Sequence, residues 1–416
     1  MAAGETHQAI EAIFRIERAR LIGGLARLVR NVDRAEELAQ DALVIALSEW
    51  PRIGVPTNPG AWLMTAAKRR AIDAVRRDKM RERKHAEIAR EQDDTVDDKD
   101  PSTALDDDLG DELLGLIFTA CHPMLSADAR AALTLRIVGG LTTDEIARAF
   151  LSSEATIAQR IVRAKKTIGK AGLGFEVPRG AERAARLASV LEVLYLIFNE
   201  GYAATAGDDL VRPNLCLEAQ RLGRILAGLM PEDAELFGLL ALMEIQASRL
   251  PARTGLDGAL LTLTEQNRAR WDQLLIRRGL EALARAEALG GDGPYALQAA
   301  LAACHARALR PADTDWPQIA ALYDRLRAVM PSPVVDLNRA VAHSMAFGPE
   351  TGLRLVDEIA DAAALSHYAP LPAARGDFLF RSGRLAEART EFEAAAKLTR
   401  NERERAFLRA RADACA

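Results

Sequence analysis

A chain of 416 residues that is 49% hydrophobic is long enough for two or three domains with sizeable cores. Only 5% of its residues are aromatic, and Ala, Leu and Arg are abundant, which favours helix over sheet. The formal net charge of −4 hides an asymmetry: Lys68 to Arg90 holds ten Lys or Arg against four Asp or Glu, and Glu91 to Glu112 holds eleven acidic residues against one Lys. That pattern points to a polyanionic partner beside a solvated tether. No uninterrupted apolar run reaches 18 residues, so no transmembrane helix is expected. Glu11, Arg15, Glu17, Arg18 and Arg20 interrupt the first apolar stretch, so no secretory leader is expected either, and the expected location is the cytoplasm.

Residues 7–30 read as an amphipathic helix, with Ile10, Ile13, Phe14, Leu21, Leu25 and Leu28 available for a core. Asn31-Val32 breaks it. Asp33 is the expected cap of a second helix over 34–50, with Glu36 at the capping-box position. That helix packs Ala35, Leu38, Ala39, Ala42, Leu43, Ala46, Leu47 and Trp50, and leaves Glu36, Glu37, Gln40 and Asp41 on the other face. Residues 51–60 hold three prolines and two glycines and read as a loop. A long helix follows from Ala61. Leu63, Ala66, Ala67, Ala71, Ile72 and Val75 form its apolar face, and Lys68, Arg69, Arg76 and Arg77 crowd the rest. Residues 1–90 thus make a first domain of three helices with one basic rim, and the acidic stretch 91–111 reads as a flexible, disordered linker.

The second domain spans 112–175. Helices near 112–121 and 127–138 supply Leu113, Leu116, Ile117, Leu133, Leu135 and Ile137 to a core. Thr142 and Glu145 form a T-x-x-E capping box that starts a short helix with Ile146, Ala147 and Phe150 on its apolar face. Leu151-Ser152-Ser153 breaks it, and Ser153 caps the next helix. That helix buries Ile157, Ile161 and Ala164 or Ile168, and turns Thr156, Gln159, Arg160, Arg163, Lys165 and Lys166 outward. This is a helix-turn-helix, whose second helix enters a DNA major groove.

Gly169, Gly172, Gly174 and Pro178 mark a boundary. From residue 181 to 416 roughly ten to twelve helical segments follow, separated by Pro and Gly. The clearest repeat is 372–398, where Gly376, Gly383, Ala388, Phe392 and Ala395 alternate small and large as a tetratricopeptide pair requires; 295–330 and 333–363 read as degenerate copies. The expected fold is therefore all-α: a helical bundle, a helix-turn-helix and a C-terminal TPR-like α-solenoid with a concave binding surface.

Cys121, Cys216, Cys304 and Cys415 are widely spaced, with no CxxC, so reduced thiols are expected. Cys121-His122 and Cys304-His305 are adjacent pairs, but neighbours on a helix point apart, so no metal is expected. There is no Walker loop, HExxH, dinucleotide fingerprint or nucleophile–His–Asp order. His343 and His367 stand alone. Catalysis and a cofactor are not expected. Trp50, Trp62, Trp271 and the segment Phe198 to Tyr202 read as packing residues.

The segments DRAEELAQDALVIALSEW (33–50) and WLMTAAKRRAIDAVRR (62–77), then an acidic linker, then the helix-turn-helix, resemble the extracytoplasmic-function sigma factors of bacteria. The first domain resembles their region 2 and the second their region 4. FNEGY (198–202), DLNRAVA (336–342) and the tetratricopeptide-like end resemble the subgroup with a long C-terminal extension. The resemblance implies an alternative sigma factor that directs core RNA polymerase to promoters and aids melting. It places Asp33, Glu36, Glu37, Gln40 and Asp41 on the β′ clamp helices and region 4 against the β flap. Asn58 would read an unpaired −10 base, with Lys68, Arg69, Arg76 and Arg77 on nearby phosphates. Ser153, Thr156, Gln159, Arg160 and Arg163 would meet the −35 groove, with Lys165 and Lys166 on its backbone. The acidic linker would thread the nucleic-acid path of the polymerase. The extension would regulate or support activity, with an intramolecular contact to the sigma domains as one route. The competing reading is a stand-alone helix-turn-helix regulator with a TPR-like sensor.

Overall fold

The fold comes from a computed structural model that describes residues 3–72, 109–150, 152–202, 212–253, 261–263, 265–359, 365–399 and 402–415. Every regular element among these is helical. Residues 91–108 of the expected linker, and the expected distal part of the basic helix from residue 73 with Arg76 and Arg77, fall outside the described residues. The chain divides into two compact units, 1–229 and 230–416.

In the first unit, α1 (Ala3–Val29) and α2 (Val32–Ile53) form a helical hairpin around Ile10, Phe14, Leu21, Leu25, Ala35, Leu38 and Trp50, all buried. The turn puts Arg30 at φ 52°, a conformation non-glycine residues seldom adopt. The cap of α2 differs from expectation. Asn31, not Asp33, accepts a hydrogen bond from Arg34 N at 3.0 Å, because its extended backbone lets the side chain curl over the first turn. Asp33 and Glu36 are thereby left for other partners. The helix also runs through Pro51 to Ile53, three residues into the expected loop, and ends where Gly54 N donates to Trp50 O at 2.9 Å. A third helix, α3, occupies residues 59–72.

The second module comprises α4 (Leu109–Ala120), α5 (Ala127–Ile137), α6 (Thr143–Ala149) and α7 (Glu154–Lys170). The first of these begins inside the stretch expected as linker, at Leu109. The capping box forms: Thr142 N and Oγ1 donate to Glu145 Oε2 at 2.7 and 2.9 Å, and Glu145 N donates to Thr142 Oγ1 at 3.2 Å. Those bonds, the main-chain one foremost, hold the Glu145 carboxyl below its usual range. Ser153 caps α7, which buries Ile157, Ile161, Ala164 and Ile168 together.

Two helices from beyond the expected boundary belong to this same unit. α8 (Gly180–Tyr202) and α9 (Pro213–Leu229) pack on each other and on α4, and α8 also lies against α5. Arg186 donates to Phe118 O at 2.7 Å, Ser189 donates to Cys121 O at 2.6 Å, and Arg130 pairs with Glu192 at 2.9 Å. The division therefore falls at Leu229, not near Pro178.

The second unit runs α10 (Ala234–Ala247), α11 (Gln273–Ala288), α12 (Pro294–Arg307), α13 (Trp316–Val329), α14 (Pro333–Phe347), α15 (Pro349–Asp357), α16 (Pro370–Arg381), α17 (Leu385–Leu398) and α18 (Glu402–Asp413). Each packs on its sequence neighbour, as in a solenoid. In the clearest repeat, a Cβ on Gly376 would stand 3.0 Å from the Phe392 ring, so only glycine lets α16 approach α17 this closely. Gly383 makes the turn at φ 76°. Asp336 and Arg339 of DLNRAVA pair with Arg327 and Asp324 of the preceding helix.

One buried polar corner closes α12. Arg268 donates to His305 O and Ala308 O at 2.9 and 2.6 Å and to Thr314 Oγ1 at 3.2 Å, with its guanidinium 5.2 Å from the Trp271 ring. His305 meets the Trp316 ring edge-on at 5.5 Å. Burial pushes the His305 pKa down to about 4, and the charges of Arg249 and Arg268 add to the shift.

Candidate DNA and polymerase interface

Helix periodicity sorts the side chains of α7 into separate stripes. Ser153, Thr156, Gln159, Arg163 and Lys166 are exposed and lie three or four residues apart, so they share one face. Ser153 Oγ accepts from Thr156 N at 3.1 Å and also meets Thr156 Oγ1 at 2.7 Å, so both hydroxyls hold the helix start. Arg160 leans toward α5 and stands 3.3 Å from Asp128. Lys165 turns away altogether, toward α2.

The polar face of α2 divides in the same way. Glu37 and Gln40 are exposed. Glu37 holds Arg34 at 2.9 Å, and Asp41 stands 3.5 Å from Arg70 of α3, a cation that the sequence reading did not select. Val44, 64% exposed, continues this face one turn further. Glu36 is different, with only 14% of its side chain exposed. Its carboxylate takes Arg18 at 2.6 Å and Lys165 at 2.5 Å, with Arg136 at 4.0 Å. Lys165, 12% exposed, reaches Asp33 as well at 2.7 Å.

In the loop before α3, Asn58 Oδ1 accepts from Ala61 N at 3.1 Å, so this side chain caps α3. Lys68 lies 3.8 Å from Glu112 of α4, while Arg69 is exposed. Burial raises the Glu112 pKa, against the pull of Lys68 and Arg27. Trp50 is buried, and Trp62, half-buried, packs on it edge-on at 5.3 Å.

Sequence reading missed the polar ties from α8 and α9 to the helix-turn-helix. Arg212 donates to the carbonyl of Ala149, the last residue of α6, and pairs with Glu200. FNEGY builds this tie. Phe198 is buried and stacks on Tyr202 at 5.7 Å, Glu200 takes the guanidinium, and Gly201 O accepts from Arg212 N at 2.7 Å. The four cysteines are buried and none of them is in a disulfide, and burial pushes the Cys121 thiol up to about 11. No cluster of metal-ligating side chains occurs among the described residues, and no helix among them is long and apolar enough to cross a membrane.

A capped helix-turn-helix with an open polar recognition stripe, beside a bundle with an acidic helix face, defines a DNA-binding protein. Comparison with known families makes the class specific. The family Sigma-70 region 2 matches residues 13–81, Sigma-70, region 4 matches 116–168, and a family of unknown function, DUF6596, matches 186–287. The chain is 44% identical over 399 residues to the uncharacterized protein R00370 of Rhizobium meliloti (strain 1021), covering 95% of this chain and 93% of that one. It is 28% identical over 146 residues to the ECF RNA polymerase sigma factor SigK of Mycobacterium ulcerans (strain Agy99), covering 34% of this chain and 74% of the relative. The crystal structure of yeast Tom70 aligns with 99% of this chain and 84% of its own at 12% identity, with a TM-score of 0.32. The chain belongs to the extracytoplasmic-function sigma factors. As such it is an alternative sigma factor that directs RNA polymerase to promoters; the matching sigma families are not families of enzymes.

Proposed function

We propose that α2 docks on the clamp helices of the β′ subunit through Asp33, Glu36, Glu37, Gln40 and Asp41, and that α7 reads the −35 element. Gln and Arg make bidentate contacts to A and G edges, which suits Gln159 and Arg163. Lys166 on the same stripe holds phosphate. Thr156 and Ser153 flank the stripe at its N-terminal end. Arg160 and Lys165 act at its margins, after leaving Asp128 and the α2 carboxylates. Region 4 docks on the β flap. The loop before α3 lies at the −10 element, with Asn58 beside the unpaired base and Lys68, Arg69, Arg76 and Arg77 on phosphates. The cytoplasm follows as the location from core polymerase as partner.

One observation carries this reading: the open stripe of Thr156, Gln159, Arg163 and Lys166 stands opposite the buried Ile157, Ile161, Ala164 and Ile168. The test is co-elution with core RNA polymerase and promoter-specific transcription. Charge reversal at Glu37 and Asp41 is expected to abolish core binding and leave the fold intact. Equal affinity of the reversed and native chains would overturn the clamp assignment. Tight binding to a duplex bearing a single site, without polymerase, would favour the stand-alone regulator.

A further inference from the structure

The recognition helix α7 carries an exposed valine, Val162, 63% open to solvent. Spacing fixes its place. The buried residues Ile157, Ile161, Ala164 and Ile168 follow one another at intervals of 4, 3 and 4 residues. Ala155, Gln159, Val162 and Lys166 repeat those intervals, shifted by two residues, and all of them are exposed. Two residues turn an α-helix by about 200°, so this second row runs opposite the core. Gln159 and Lys166 lie along its middle, with Thr156 and Arg163 to one side and Ala155 and Val162 to the other.

Local structure does not call for a valine there. In a helix interior Val is a weaker helix former than Ala, Lys or Arg. Its long neighbours in the row, Gln159 and Lys166, are polar. What valine offers is a pair of methyl groups held in essentially one rotamer, so little side-chain freedom is lost when they meet a surface. The surface that a recognition helix meets is the floor of the major groove. Thymine shows a C5 methyl group there, and an apolar side chain is its complement. Gln pairs with N6 and N7 of adenine in the same groove. Gln159 and Val162 are three residues apart, about 4.5 Å along the helix axis, close to one base-pair step of about 3.4 Å. An amide and an apolar tip at this separation match neighbouring A·T pairs.

We infer that Val162 is a specificity-determining residue: it reads a thymine of the −35 element by its methyl group, within about two base pairs of the adenine read by Gln159. The inference rests on the functional reading above and adds to it the base chemistry of one position. The contact uses no hydrogen bond and no charge. It therefore separates thymine from the other bases without releasing a counterion, unlike the phosphate contact of Lys166.

Deoxyuridine isolates the contact, because it lacks the methyl group and keeps every hydrogen-bonding group of thymine. The experiment uses holoenzyme, made of the full chain and core RNA polymerase, with promoter duplexes that it selects from a library randomised across the −35 element. Each thymine of the selected element is then replaced singly by deoxyuridine. The native holoenzyme is expected to lose about fourfold in affinity at one position, the worth of one methyl group taken out of water. Val162→Ala is expected to bind the thymine and deoxyuridine duplexes alike and to keep the native salt dependence. Val162→Thr keeps one methyl group on the same stem and is expected to restore part of the discrimination. Alanine is the better helix former at this exposed site, so misfolding would not account for a loss confined to one base.

A selected element in which no thymine responds to loss of its methyl group would overturn the proposal, as would an equal response in native and Val162→Ala holoenzyme. So would weakened binding of Val162→Ala to core polymerase without DNA, which would set the valine against the polymerase instead. Native holoenzyme that selects no −35 sequence at all would sink the functional reading, and this inference with it.

Discussion

Arg212 donates a hydrogen bond to the main-chain carbonyl of Ala149, so a residue of the C-terminal family segment closes the first helix of the helix-turn-helix. The carbonyls at a helix end lack intrahelical partners, and a guanidinium there satisfies one of them while complementing the helix dipole. Glu200 fixes the guanidinium in turn. The start of the extension is thereby part of the DNA-reading unit.

Truncation tests that boundary. A chain ending at residue 229 is expected to keep cooperative melting of the first unit. One ending at 178 loses the apolar face of α8, including the buried Leu187, Val190, Leu191 and Leu194. At about 1.5–3 kcal/mol for each buried side chain, a fall in Tm of about 10 °C or more is expected. Calorimetry of the two truncations decides it, and equal melting would place α8 and α9 outside the unit.

The stripe on α7 separates reading from holding. Arg163→Ala is expected to cost about 1–3 kcal/mol on the cognate −35 duplex and to relax one base position. Lys166→Ala is expected to weaken all duplexes alike and to lower the salt slope by about 1. Titrations against single-base variants at two or more salt concentrations measure both.

Ser153→Ala removes the cap of the recognition helix. The expected loss is about 1 kcal/mol of local stability. Hydrogen exchange should quicken at residues 155–157 and leave the interior of α1 unchanged.

The second unit should lose stability in mild acid through His305. Its folded pKa lies near 4, below the ordinary value of 6.5. Between those values the unfolded chain binds the extra proton, so stability rises with pH and is lost as pH falls from about 6.5 toward 4. One group displaced this far contributes up to about 3 kcal/mol over that window. His305→Phe keeps a ring against Trp316 and is expected to flatten the dependence. Denaturant melts of native and variant protein at pH 7 and pH 5 compare the two.

The sequence by itself determined the helix-turn-helix, because caps and apolar spacing act within one or two turns. Thr142 with Glu145, Ser153, and the buried stripe of Ile157, Ile161 and Ala164 all stand as periodicity places them. It also determined the close approach at Gly376 and Phe392, where small and large residues alternate locally. The cap of α2 was expected at Asp33, but Asn31 can also accept from a first turn, and the extended backbone of Asn31 is what selects it. Tertiary structure alone decided that Lys165 belongs to Glu36, that Glu112 lies against Gly23, and that Arg212 holds Ala149. The two polar pairs lie 129 and 63 residues apart, and no local spacing encodes which of many cations will meet a given carboxylate or carbonyl. Long-range packing brings the helices together first, and the charges then pair with what has come within reach.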